Sequence, residues 1–243
     1  MRNAVTALIL GIALIIAAAL LGSAYKYKYR SAQIVSVTGG AEVNFTSDLI
    51  VWTGSYSKKS MVLKEAYAQL KEDENKVRDY LTKQGINPKE LVFSAVNIRK
   101  EFSNRYDENG RITGNEFTGY ALTQTVKVQS KEIGKVEQVS RQVTELIQAG
   151  VEFNSAEPSY YYTKLADLKI DLLAKASADG RVRAETIAKN AGSKLGGLKS
   201  ADMGIFQITG QYSNEEYTWG GTLNTSSREK TASITVKMEF ALR

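Results

Sequence analysis

The chain of 243 residues has no histidine, no cysteine and only two prolines, Pro88 and Pro158. Without histidine, the usual general base near neutral pH is gone, and with it every Ser-His arrangement for nucleophilic catalysis. Without cysteine there are no disulfides and no thiolate nucleophiles, and the two absences together remove the usual zinc ligands. What remains for catalysis is a carboxylate pair, Ser-Lys chemistry or a metal held by oxygen alone. Acidic side chains do cluster, at Glu72-Asp73-Glu74, at Asp107-Glu108 and at Glu215-Glu216. These sites read as a solvated helix face, a turn and a loop, where acids gather without any chemical role. Consecutive helical residues diverge by about 100°, so 72–74 cannot converge on one ion. Calcium-loop spacing, a phosphate-binding loop and a dinucleotide fingerprint are also missing. The sequence therefore offers no catalytic, cofactor-binding or metal-binding residues, and a metal- or carboxylate-dependent hydrolase is the weakest of its functional readings.

Charge is unevenly placed. Lys and Arg number 32 against 26 Asp and Glu, but residues 1–30 hold Arg2, Lys26, Lys28 and Arg30 and no acid. The remaining 213 residues carry 28 cations against 26 anions and are close to neutral. A nucleic-acid-binding domain concentrates its excess cation on the folded part. This one does not, so nucleic acid is excluded as a partner.

Residues 4–21, AVTALILGIALIIAAALL, carry no charge, and Thr6 is their one polar side chain. As a helix such a stretch spans roughly 27 Å, about the hydrocarbon thickness of a bilayer. A core helix of a globular domain shows a polar stripe, and this run is apolar all round. Two readings stay open. An uncleaved anchor would bury Leu8, Ile9, Leu10, Ile12, Leu14, Ile15, Ile16, Leu20 and Leu21 in lipid. A signal peptide would be cut after the small residues Gly22-Ser23-Ala24. The flanking charges also point two ways. The positive-inside tendency alone places the C-terminal part in the cytoplasm, whereas a short, weakly charged lead before an export-like stretch argues for export. Export is the expectation: a single-pass inner-membrane protein with its domain in the periplasm, or a soluble periplasmic protein after cleavage.

Beyond the apolar run, Tyr25, Lys26, Tyr27, Lys28, Tyr29 and Arg30 alternate aromatic and cation. Tyrosines at headgroup depth and cations reaching lipid phosphates suit a membrane interface. The chain thus divides into an anchor or signal at 1–24, an interface linker at 25–32 and one domain at 33–243.

The domain reads as strands interleaved with three helices. Two β segments lie within 33–56, with a bulge or tight bend expected at Gly39-Gly40. Ser60 caps a helix in which Leu63, Tyr67, Leu70, Val77 and Leu81 repeat, with Lys71–Lys76 on the solvent face and Gly85 as C-cap. Strands at 91–104 and 115–129 flank a hairpin turn at Asp107–Gly110. A helix over 131–148 ends at Gly150, a strand runs over 151–162, and a helix over 164–191 ends before Gly192. Strands at 203–211 and 230–241 bracket a polar loop. Hairpins beside helical connections predict an α+β fold with mixed, mainly antiparallel sheet covered by three helices, beside one N-terminal transmembrane helix. Two aromatic spots suit subunit contacts: Tyr160 and Tyr162 in SYYYT, and Tyr217 and Trp219 in the loop.

Four stretches carry a family resemblance. VSVTGGAEVNFTSDLIVWTGSYS (35–57) resembles the opening of SIMPL-domain proteins, which have a strand of the form I-x-V-x-G-x-G-x-V followed by Pro-Asp and an apolar strand. GYALTQTVKV (119–128) is similar to the family's central strand, and ELIQAGVEF (145–153) to its helix-to-strand turn. AKASADGRVRAETIAKNAGSKLGGL (174–198) is similar to its Ala-rich helix ending in G-x-x-L-G. Ala41 stands where the family often has a second glycine, and Ser47 precedes Asp48 where proline is usual. The resemblance implies an exported or membrane-associated bacterial envelope protein without a catalytic site, whose relatives in some cases assemble into rings or serve stress functions. A membrane-tethered homo-oligomer that binds or scaffolds follows as the expectation, with the bilayer as partner. A soluble periplasmic binding or stress-related module is the alternative.

Overall fold

Apolar and polar residues alternate along the long central strands, and the ten strands among the described residues sort into two antiparallel sheets, each backed on one face by helix. The computed structural model describes residues 11–23, Tyr25 and residues 33–243. The first sheet joins β1 (Ile34–Thr46), β10 (Glu229–Leu242) and β8 (Leu195–Met203), with β9 (Gln207–Gly210) also paired to β10. Its inward residues Val35, Val37, Ile234, Val236, Met238 and Phe240 bury against α3 (Leu165–Asn190). The second sheet runs in the order β3 (Leu91–Phe93), β5 (Ile112–Ser130), β2 (Leu49–Ser60) and β6 (Phe153–Ser155). Two more strands join it: β4 (Asn97–Tyr106) on β5, and β7 (Ser159–Tyr161) on β2. Its core forms around Trp52, Tyr56, Leu122 and Val126 against α1 (Leu63–Lys83) and α2 (Ile133–Gln142). Among the described residues every strand pairing is antiparallel, and the one parallel contact is an isolated bridge between Ile208 and Leu223. The α+β class with three helices on the sheets is as expected, and the mixed sheet resolves into two separate antiparallel ones.

The helix ends obey the glycine signals. Gly85, Gly150 and Gly192 take φ of 85°, 76° and 73°, a region that a residue with Cβ enters at a cost. Several expected boundaries shift. Residues 143–149 form a 3-10 helix instead of continuing α2, which leaves Ile147 exposed. The strand expected over 91–104 breaks between β3 and β4, and the one over 151–162 between β6 and β7. Ser60 ends β2 and accepts from the Val62 amide two residues short of the cap position, while Leu63 and Tyr67 face out and Ala66 faces in. Strand β8 went unrecognised because Leu195–Met203 alternates poorly and pairs only with β10.

Gly39-Gly40 is neither a bulge nor a bend. Strand β1 runs through it with unbroken register to β10, from Ile34 opposite Ala241 to Thr46 opposite Glu229. The glycine serves helix packing instead. A Cβ on Gly39 would lie 2.2 Å from the Ala176 carbonyl oxygen and 2.5 Å from the Gly180 nitrogen, both backbone atoms of α3. Helix and strand touch here main chain to main chain, and Gly40 N–H donates to Asp179 Oδ2 at 2.9 Å on the same helix.

Helical structure covers residues 11–23, where Ile12, Leu14, Ile15, Ile16, Leu20 and Leu21 are exposed, and Tyr25 is helical and exposed too. Leu8, Ile9 and Leu10 of the expected anchor, and Lys26, Tyr27, Lys28, Tyr29 and Arg30 of the expected interface, lie outside the described residues. Among the described residues no helix is long and apolar enough to cross a membrane.

The glycine contact gives a sharp test. Gly39→Ala should destabilise by about 3 kcal/mol, the upper range for overpacking, because backbone on both sides must move. Gly40→Ala, whose nearest new neighbour would be 3.9 Å away, should cost well under half of that. Urea unfolding of the two variants measures the difference.

Candidate functional site

The first sheet is covered on one face only. Its open face carries Thr38, Glu42 and Asn44 from β1 and Thr231, Ser233 and Thr235 from β10, all in the outward phase of the alternation. Onto this polar face the β9–β10 loop lays its aromatic residues. Tyr217 is 63% exposed and Trp219 98% exposed, and Tyr212 stands beside them at 94%. Tyr217 divides two adjoining depressions. One, of about 480 Å³, is lined by Ile205, Gln207, Tyr217, Trp219 and Thr235 among others. The other, of about 660 Å³ and more polar, is lined by Glu42, Asn44, Tyr212, Glu216, Tyr217 and Thr231 among others.

Exposed aromatics on a loose loop would mean little, but this loop is held. Lys230, the second residue of β10, stands in the inward phase and is only 2% exposed. Its ammonium donates to the Asn224 carbonyl at 2.7 Å, to Asn224 Oδ1 at 3.1 Å and to the Ser227 carbonyl, so each of its three hydrogens has an acceptor. Asn224 in turn donates to Glu215, whose other oxygen accepts from Gly210 N–H at 2.9 Å. From the opposite side Gln207 accepts from Thr222 N–H at 2.8 Å and donates to the Thr218 carbonyl at 2.9 Å. Ser233 donates to the Tyr217 hydroxyl at 3.1 Å. Burial brings the Lys230 amine down to about 8, against the opposing pull of Glu215. It remains the ammonium at neutral pH. The Gly210 amide, then Asn224, hold the Glu215 carboxyl below its ordinary range. Tyr212 adds a strain marker, for it is the one non-glycine residue at positive φ (58°) among the described residues. Such a conformation costs on the order of 1–2 kcal/mol and persists only where its surroundings enforce it.

A second polar cluster overturns the reading of Lys71–Lys76 as solvent face. Asp73 is 2% exposed and Glu74 7%, both turned toward β2 and β5. Buried carboxylates require partners, and the second sheet supplies them. Lys58 Nζ stands 3.0 Å from Asp73 Oδ2, although that oxygen receives no aligned hydrogen bond. Glu74 accepts from Arg78 at 2.8 Å and from Gln124 Nε2 at 3.2 Å, with Lys71 at 3.0 Å. Gln124 accepts from the Tyr56 hydroxyl at 2.7 Å, and the Arg78 guanidinium sits 4.3 Å from the Phe93 ring centre. Burial pushes the Glu74 carboxyl up, but hydrogen bonds from Lys71, Arg78 and Gln124 outweigh it and leave the group below its usual range. A general acid needs the opposite shift. Neither carboxylate lines the depressions beside Tyr217; the cluster tethers helix to sheet.

Of the four aromatic residues singled out in the sequence, two meet on one surface. Tyr217 and Trp219 share the open face of the first sheet. Tyr160 is half-buried against the second core, and burial first, then the Glu137 carboxylate, raises its pKa. Tyr162 is half-buried with its ring 5.0 Å from that of Phe45. Tyr161, between them, is the exposed member of the triplet. Sequence reasoning missed Tyr212, and although it placed the hairpin turn at Asp107–Gly110 it missed the exposed aromatic residues of the β4–β5 arm. There Phe102 packs on Phe117 (5.7 Å) and Phe117 on Tyr120 (5.1 Å), while Phe102, Tyr106, Ile98 and Ile112 stay exposed. The alternation Ile98-x-x-x-Phe102-x-x-x-Tyr106 was the available signal. Among the described residues no group of three or more Asp or Glu is placed to hold a metal ion.

Comparison with known families finds one match: residues 35–240 fit the family model SIMPL, "Protein of unknown function (DUF541)". A search of the curated proteins finds no match.

Two outcomes follow from the clamps. Lys230→Met removes a charge-assisted donor worth about 1.5–3 kcal/mol and should speed chymotryptic cleavage at Tyr217 and Trp219 about tenfold, with the global melting temperature moving much less. Glu74→Gln should lower stability at pH 7 by about 2 kcal/mol. Because the folded pKa of Glu74 lies below its unfolded value near 4.5, that contribution is present above pH 4.5 and is lost as pH falls through the folded value. Melting curves of wild type and variant should therefore draw together as the pH falls below 4.5.

Proposed function

The chain belongs to the SIMPL family, and from that premise we propose that it is a membrane-tethered, non-catalytic envelope protein that self-associates and acts by binding or scaffolding. Membership points to a non-catalytic envelope-type protein, and the missing histidine and cysteine agree with it. Tethering is supported by the apolar run at 4–21 and by the helix at 11–23, whose aliphatic side chains no described part of the protein covers. A helix apolar all round calls for an apolar surrounding. Tyr25 to Arg30 would then lie at the headgroups and the domain in the periplasm.

The observation that carries self-association is the rigid presentation of Tyr212, Tyr217 and Trp219. Three aromatic side chains stand in water on a loop clamped by a buried ammonium, a buried amide and a strained turn. Holding large aromatic rings exposed lowers the ordering cost of a later contact, and aromatic anchors of this type dominate interfaces. Tethering confines copies to a plane and raises their effective concentration, which favours closed cyclic assembly. The aromatic stripe of the β4–β5 arm provides a second surface for the same purpose.

Mass measurement of the full chain in mild detergent tests the reading. The wild type should form a defined oligomer at micromolar concentration, and Trp219→Ala with Tyr217→Ala should shift it at least tenfold toward monomer with an unchanged melting curve. A wild-type monomer throughout that range would sink the proposal. N-terminal sequencing of the mature protein separates the tethered form from the soluble periplasmic alternative, since a start at Tyr25 means that the anchor is gone.

A further inference from the structure

The two cores meet where three connections cross, and the crossing leaves an open depression of about 680 Å³, lined by none of the residues that line the two depressions beside Tyr217. Its lining includes Ser47 and Asp48 from the β1–β2 turn, Lys131 and Lys135 at the start of α2, Lys164 ahead of α3, and Arg228 ahead of β10. We infer that this junction is a binding site for a phosphate or phosphomonoester group.

Four features of the junction converge on an anion. The depression gathers four cations, Lys131, Lys135, Lys164 and Arg228, against the carboxylates of Asp48 and Glu132. Asp48 is already engaged, accepting from the Thr163 amide at 2.7 Å and the Thr163 hydroxyl at 2.6 Å. The cations are poorly matched within the protein. Arg228 reaches Glu137 only at 3.7 Å and Glu229 at 3.9 Å, and Lys135 reaches Glu132 at 3.9 Å, while Lys131 and Lys164 make no ion pair among the described residues.

The first turn of α2 opens into the same depression, with Ile133, Gly134 and Lys135 in its lining. This ten-residue helix has no side-chain cap at Glu132. The Glu132 and Ile133 amides already donate to Ser130 Oγ at 3.0 Å and the Lys131 carbonyl at 2.9 Å, which leaves the Gly134 and Lys135 amides and the positive dipole end for the depression. An uncapped helix start alone would mean little. The independent observation is Ser47. It lies in the wall of the depression, is 2% exposed, and its Oγ has no hydrogen-bond partner among the described residues. A buried hydroxyl left unmade costs on the order of 1–3 kcal/mol, and a local shift that turned it to an anion oxygen in the depression would relieve it. Several donors arranged around one concavity match a tetrahedral oxyanion better than a planar carboxylate, because phosphate offers oxygens in all directions. The site also spans both cores, since Ser47 N–H donates to the Arg228 carbonyl at 3.0 Å and Asp48 N–H to the Tyr161 carbonyl at 3.0 Å. An occupied site would therefore brace the junction.

The ligand chemistry has two sources, free phosphate and a lipid headgroup phosphomonoester, and one titration separates them. Inorganic phosphate is titrated into the full chain in uncharged detergent micelles at constant ionic strength and followed by calorimetry. The wild type should bind saturably at one site. Lys131→Gln with Lys164→Gln should weaken binding about tenfold, and Ser47→Ala should weaken it by a smaller factor. Lys199→Gln with Lys237→Gln, which removes equal charge elsewhere, should leave it unchanged. Repeating the titration in micelles doped with phosphatidic acid assigns the source. Weaker apparent phosphate binding there means that headgroups occupy the site, and unchanged binding means a soluble phosphate ligand. Absence of saturable binding in the wild type, or an equal loss in both double variants, overturns the inference. Either result leaves the oligomer test untouched, so the two proposals fail separately.

Discussion

The ladder between β1 and β10 is the constraint on which the remaining architecture rests. Thirteen residues of the first strand pair in one register with the last strand, so the domain closes on itself across nearly its whole length. Everything between must loop out and return. One edge of β10 then receives β8 and β9, and the far end of β1 turns at Ser47-Asp48 straight into β2 of the second sheet. Closing so long a loop is entropically expensive but grows only logarithmically with length, so a continuous ladder with a helix packed against it can bear it. The close approach at Gly39 is part of the same device, for it lets α3 sit directly on the ladder.

Function, on this reading, is built on what the ladder leaves open. Its helix-free face is polar and flat, and the loop from β9 back to β10 places aromatic rings on that face instead of burying them. The buried ammonium of Lys230 belongs to β10 itself, so the loop is fastened to the most firmly held strand in the molecule. The end of the ladder where β1 turns into β2 makes the other feature. There β1, β7 and the approach to β10 cross, and their cations collect around an uncapped helix start.

Much of the fold was legible because its signals are local. Period-two runs placed most of the long strands, and glycines at 85, 150 and 192 marked helix ends by the positive φ they permit. The errors share one cause. Asp73 and Glu74 read as solvent-facing because charge is normally hydrated, and nothing nearby in sequence announces that Lys58 and Gln124 wait on the facing strands. Gly39 read as a bend because its reason, Ala176 and Gly180 of α3, lies far along the chain. For the candidate site, Tyr217 and Trp219 were found from their loop context, Tyr212 was passed over, and Tyr160 proved to be half-buried packing.

The sequence by itself determined the class of fold, the identity of most elements, the family and the chemistry that lies out of reach, since all of these depend on composition and on neighbours a few residues apart. Only the tertiary structure decided which charges are buried, which glycine is a contact, and that Ser47, Lys131, Lys164 and Arg228 share one wall. The reason is physical. Periodicity is imposed by the geometry of a single element, whereas burial and partnership are set by what another element places opposite, and here that element is often more than a hundred residues away.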